Sequence, residues 1–73
     1  MKKSIIIKDE FIKLGQALKL CGEADTGVDA KFMLEDGKVK VNGETELRRG
    51  RKLYNGDTFT VNNTEIEVIS KQA

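Results

Sequence analysis

Histidine is absent from this chain of 73 residues, and cysteine occurs once, at Cys21. One cysteine permits no internal disulfide. With no histidine beside it, a zinc site of the usual His/Cys kind cannot be assembled from one chain. Histidine-based acid–base or triad chemistry is excluded for the same reason. Also missing is any apolar run of about 18 residues, so no transmembrane helix is expected. Ser4-Ile5-Ile6-Ile7 is too short for the core of a signal peptide, and charged residues follow at once. The expected compartment is the cytoplasm, with no membrane partner. Aromatics are sparse, at three Phe and one Tyr. The length fits one domain, residues 1–73, near the lower limit for folding alone. Such a chain builds a modest core and has little room for a buried catalytic cleft. Its carboxylates lack a paired base, so no enzymatic activity, cofactor or small-molecule ligand is expected.

Charge is plentiful and unevenly placed. The formal net charge is +1. Between Lys38 and Lys52 lie six cations (Lys38, Lys40, Arg48, Arg49, Arg51 and Lys52) against Glu44 and Glu46. That segment therefore carries +4 and the remainder −3. A polarised surface suits an anionic partner met on one side. Val39 and Val41 alternate with Lys38 and Lys40, so a strand here turns the valines to one face and the lysines to the other. Asn42-Gly43 supplies the two positive-φ residues of a type I′ turn. Positive charge beside a rigid hairpin is a candidate for gripping phosphates. A basic run this short can equally be a solvated loop that keeps the protein soluble.

Residues 4–7 read as a β-branched strand. Asp9-Glu10-Phe11 leads into a helix over about Lys13 to Cys21, where Leu14, Ala17, Leu18 and Cys21 form an apolar stripe. Gly15 weakens that helix by up to ~1 kcal/mol relative to alanine, and glycine there permits close approach of another backbone. Gly22 is a natural stop. Thr26-Gly27-Val28-Asp29 has the spacing of a capping box, opening a second helix that runs to about Asp36 and ends at Gly37. Its core stripe is Ala30, Met33 and Leu34. Phe32 falls off that stripe, where it either stacks on an unpaired base or covers a neighbouring element. Amides near Thr26 to Val28 offer donors and a favourable dipole to phosphate. The rest is β: Lys38–Val41 pairs with about Glu44–Leu47, Asn55-Gly56-Asp57 turns the chain, and Thr58–Val61 pairs with Thr64–Ile69 through Asn62-Asn63. Tyr54 either packs under the sheet, the favoured reading, or stacks on a base, and Ser70 to Ala73 form a frayed tail. The fold class is α+β, two short helices packed on a small, mostly antiparallel sheet.

The order of these signals resembles the ribosomal-protein-S-four RNA-binding domain, also called the alpha-L RNA-binding motif. The residues that carry the resemblance are Lys13-Leu14-Gly15-Gln16-Ala17-Leu18, Ala30-Lys31-Phe32-Met33-Leu34-Glu35-Asp36-Gly37-Lys38-Val39-Lys40-Val41-Asn42-Gly43, and Gly56-Asp57 before a closing strand. With Arg48-Arg49-Gly50-Arg51-Lys52-Leu53 added, the chain is similar to the small stand-alone bacterial subfamily of YaaA/YbcJ type. The resemblance spans about residues 11–61. It implies non-catalytic binding of structured RNA, with ribosomal RNA or ribosomal particles as the expected partner. Carried over, the expected contacts are Lys13 and Gln16 on the first helix and Thr26, Lys31 and Phe32 on the second. Lys38, Lys40 and Asn42 on the hairpin and Arg48, Arg49, Arg51 and Lys52 after it complete the set. Lys13 stands where many members have Arg, and Gly15 where many have Asp. Two other readings compete. The basic segment could dock an acidic protein. The phrases Val41-Asn42-Gly43-Glu44 and Leu53-Tyr54-Asn55-Gly56-Asp57 also suit a β-grasp sulfur carrier, although the C-terminal Gly-Gly such carriers need is not found at Ser70-Lys71-Gln72-Ala73.

Overall fold

The structure, a computed structural model, describes residues 2–72. Elements follow in the order β1 (Lys2–Ile7), β2 (Phe11–Lys13), α1 (Leu14–Leu20), α2 (Gly27–Glu35), β3 (Val39–Val41), β4 (Glu44–Thr45), β5 (Lys52–Tyr54), β6 (Thr58–Val61) and β7 (Thr64–Ser70). Among the described residues β1-β7-β6-β3-β4 form one sheet and β2-β5 a second, small one. β1 runs parallel to β7, and the other pairs are antiparallel. The α+β expectation of two helices on a mostly antiparallel sheet is met.

Alternation explains which face of the large sheet is covered. Val39 lies opposite Val61, Val41 opposite Phe59, Phe59 opposite Ile66, and Ile5 opposite Val68. All of these side chains are buried. Leu14, Ala17 and Leu18 of α1 and Ala30 and Leu34 of α2 close over them, and Leu53 of the small sheet joins the same cluster. The helical stripes read from the sequence are the stripes that face the core. Cys21 packs at its margin, its thiol donating to the Leu18 carbonyl at 3.4 Å while burial pushes its pKa up.

The turns use the chemistry the sequence displays. Asn42 and Gly43 take φ of 51° and 88°, and Asn62 and Asn63 take 50° and 62°, as two-residue hairpin turns require. Gly22, Gly37 and Gly56 have positive φ at the other stops. The hydroxyl of Thr26 accepts from the Asp29 amide at 3.1 Å, so α2 is capped as expected. No return bond from the Asp29 carboxylate forms among the described residues.

Three local expectations are revised. Phe11–Lys13 is a strand paired with Lys52–Tyr54, not a lead into the helix. Three residues give too short a pattern to announce a strand; the pairing is made from the other end of the chain. Ser70 is not frayed: it ends β7, is buried, and donates its hydroxyl to the Asp9 carbonyl at 2.6 Å. Its amide donates to the Asn55 side-chain oxygen at 2.8 Å, and the Lys71 amide reaches the Ile7 carbonyl at 3.0 Å. Ala73, the last residue assigned to that tail, lies outside the described residues. Tyr54 packs at the small sheet's surface, with its ring 5.8 Å from that of Phe11, and remains exposed.

Candidate nucleic-acid interface

The basic segment after β4 does not hang free. It arches over the start of α1 and is bonded to it. The first two amides of α1 donate into the arch, Leu14 to the Arg51 carbonyl at 2.8 Å and Gly15 to the Arg49 carbonyl at 3.0 Å. A helix start leaves such amides without partners, and here a distant loop satisfies them. Gly15 makes the approach possible. A Cβ at this position would overlap Cγ of Arg49 and stand 3.1 Å from its Cδ. The close backbone approach expected at Gly15 is therefore found, and its partner is the arginine loop.

This arch, α1 and the start of α2 enclose a cleft of about 360 Å³ lined by Lys13, Gly15, Gln16, Lys19, Gly27, Arg49 and Gly50. Three cations face it, and among the described residues no carboxylate lines it. Gly27 is the first residue of α2, immediately after the Thr26 cap, so the positive end of that helix borders the cleft. Nothing lies within 4 Å of where a Gly27 side chain would begin, so this corner of the cleft is open, while the Asp29 amide is taken by the Thr26 hydroxyl. Lys19 is not among the contacts expected from the sequence. Its spacing of three from Gln16 places the two on one face of α1, beside Lys13 at the helix cap, and that spacing is present in the sequence.

The remaining expected contacts are dispersed. Arg48 and Arg51 are paired with Glu46, at 3.1 and 2.9 Å. Glu46 itself is buried, beneath the loop and beyond the end of β4. Its carboxyl is pulled down to about 2, first by the side-chain bonds from Arg48 and then by those from Arg51, and it raises the pKa of Arg48 in return. Lys52 projects from β5 with its ammonium 4.7 Å from the centre of the Phe11 ring. Phe32 and Lys38 line a different groove on the other flank of α2, beside Glu23, Asp25, Asp29 and Asp36. Those four carboxylates make a poor seat for a phosphate backbone. Lys31 lies exposed on α2, and Lys40 points away from the core on β3. Asn42 is occupied: its amide donates to Asp57 at 3.2 Å, and its oxygen accepts from the Thr58 amide at 3.0 Å. Asp57 in turn accepts from the Tyr54 amide at 2.7 Å. The Asn-Gly and Gly-Asp signals are thus two halves of one clamp.

A family model described as "S4 domain" matches residues 5–69. The chain belongs to the S4 domain family. It is 46% identical over 61 residues to the probable ribosome maturation protein RlbA of Bacillus subtilis (strain 168), covering 84% of this chain and 86% of that protein. It is 32% identical over 63 residues to the putative RNA-binding protein YbcJ of Escherichia coli (strain K12), covering 86% and 90%. The solution structure of YbcJ from E. coli, described as revealing an alpha-L motif involved in RNA binding, matches with a TM-score of 0.66. Sequence identity there is 31%, over 93% of this chain and 85% of that one. The fold is that of the alpha-L motif.

Proposed function

We propose that this chain is a non-catalytic, cytoplasmic RNA-binding module that grips folded RNA, with ribosomal RNA or a ribosomal particle as its target. The observation that carries the reading is the convergence of Lys13, Lys19 and Arg49 with the start of α2 in one cleft free of lining carboxylates. Cations and helix-terminal amides in a shallow groove hold phosphates by charge and shape, without reading bases. The cleft is open and offers no paired acid and base, and among the described residues no group of His, Cys, Asp or Glu is placed to hold a metal. The names of RlbA and YbcJ, as a probable ribosome maturation protein and a putative RNA-binding protein, support the same target class. No helix among the described residues is long and apolar enough to cross a membrane.

The test is fluorescence anisotropy with a structured ribosomal RNA fragment, single-stranded RNA and duplex DNA of equal length, across a salt series. The folded RNA should bind most tightly. Neutralising Lys13, Lys19 and Arg49 together to glutamine should flatten the slope of log K against log salt by about 2–3, at roughly 0.7–0.9 for each phosphate no longer neutralised. An unchanged slope in a folded triple variant would refute the cleft. Equal, weak binding to all three ligands would refute the RNA reading.

A further inference from the structure

The four cations after the hairpin look equivalent in sequence and are not equivalent in space. Glu46 receives five hydrogen bonds. Its Oε2 accepts from the amides of Leu47 and Arg48 and from Nε of Arg48, each at 3.1 Å. Its Oε1 accepts from Nη2 of Arg48 at 3.1 Å and from Nη1 of Arg51 at 2.9 Å. The Arg48 contact is a two-point fork, the geometry that fixes a guanidinium in orientation as well as in place. The side chain of Glu46 is only 10% exposed, whereas that of Arg48 is 73% exposed. The carboxylate is therefore at the centre of the arch and the arginines clasp it from outside. Between the two clasped residues stands Arg49, whose carbonyl receives the Gly15 amide and whose side chain lines the cleft.

We propose that Glu46 is the positioning residue of the RNA contact, fixing the Arg48–Arg51 arch so that Arg49 is presented to phosphate while Arg48 and Arg51 serve as struts. The inference rests on the RNA-binding reading above. Electrostatics without positioning makes the opposite prediction for one substitution. Removing a negative charge beside a polyanion site should tighten binding. Releasing the arch should weaken it, because the loop must then be ordered on binding, and ordering one residue costs about five- to thirtyfold in affinity.

Glu46→Gln is compared with Glu44→Gln, which removes the same charge from an exposed position on the same hairpin. Affinity for the ribosomal RNA fragment is measured at a temperature where circular dichroism shows both variants folded. Glu44→Gln should bind as tightly as the parent or slightly tighter, and Glu46→Gln about five- to thirtyfold more weakly. Equal or tighter binding by Glu46→Gln would overturn the proposal. Should that variant fail to fold, Glu46→Asp takes its place: it keeps the charge and shortens the reach, so wild-type affinity would overturn positioning and weaker binding would support it. A readout without RNA separates this proposal from the reading it rests on. The Arg48 Nε–H resonance of the free protein should be sharp and slow to exchange with water. If it is, and the parent still binds no RNA, the RNA reading falls while the pinned arch stands; a broad, rapidly exchanging resonance overturns the pinning itself.

Discussion

Acid should unfold this protein in part through a single carboxylate. Glu46 is held at about 2 against an ordinary value of 4.5, chiefly by Arg48 and then by Arg51. A group whose folded pKa is depressed contributes stability that is fully present above its unfolded value. That contribution is lost as pH falls through the folded value. The window therefore runs from about pH 5 down to about pH 2. Each unit of displacement is worth about 1.4 kcal/mol. Arg48 stands largely in solvent, where screening weakens the pair, so the contribution of Glu46 at neutral pH comes to about 2–3 kcal/mol. For a domain of this length, whose whole stability is roughly 4–11 kcal/mol, that is a large share. The assay is urea unfolding of the parent and Glu46→Gln, followed by far-ultraviolet circular dichroism from about pH 7 to about pH 2. Taking the difference between the two proteins cancels the other carboxylates. The gap should be about 2–3 kcal/mol near neutrality and should close to under about 1 kcal/mol at the acid end. A gap that stays constant across the range would refute the account, because it would mean that Glu46 stabilises by packing rather than by charge.

Gly15→Ala should lower binding and stability together. A Cβ there overlaps Cγ of Arg49, close to the loop backbone, so the arch must shift; the gain in helix propensity, up to ~1 kcal/mol, does not offset that, and the melting temperature should fall by several degrees. Arg49 must swing out of the cleft, and affinity for the RNA fragment should fall several-fold; unchanged affinity in anisotropy would show that Arg49 does not touch the RNA. Asn42→Ala should destabilise by about 1–3 kcal/mol in urea, since it removes the bonds to Asp57 and Thr58 and strains a positive-φ position. Asn42→Gly should recover the backbone share of that cost, and an identical cost in the two variants would leave the side-chain bonds as its whole cause.

The elements legible in the sequence are those whose cause is local. Alternation in Lys38–Val41 and Thr58–Val61 announces which residues face the core. Leu14, Ala17 and Leu18 announce a helical stripe, and Asn42-Gly43, Asn62-Asn63 and Gly37 announce where the chain must turn. Thr26 announces its cap. The candidate site is legible in part: the resemblance names Lys13, Gln16 and Arg49, which line the cleft, and the rest shows only as composition. Arg48, Arg49, Arg51 and Lys52 stand together in the chain, and their proximity suggests one shared task. Glu46 looks like an exposed acid on a hairpin strand, and nothing in its neighbours distinguishes it from Glu44. Lys19 looks like a solvated lysine opposite the core stripe.

The sequence by itself determined the two helices, the strands of the large sheet, the stops between them, the buried faces and the family, because hydrophobic periodicity and turn chemistry act over a few residues. Tertiary structure alone decided the pairing of Phe11–Lys13 with Lys52–Tyr54, the burial of Glu46 and the division of the cations into struts and cleft. The physical reason is that each of these depends on groups far apart in the chain. The amides of Leu14 and Gly15 at the start of α1 need acceptors, and the carbonyls that supply them belong to Arg51 and Arg49, far along the chain. Once that loop is drawn across Gly15, Glu46 lies beneath it, and the direction in which Arg48 and Arg51 point is set by the carboxylate and not by their order in the sequence.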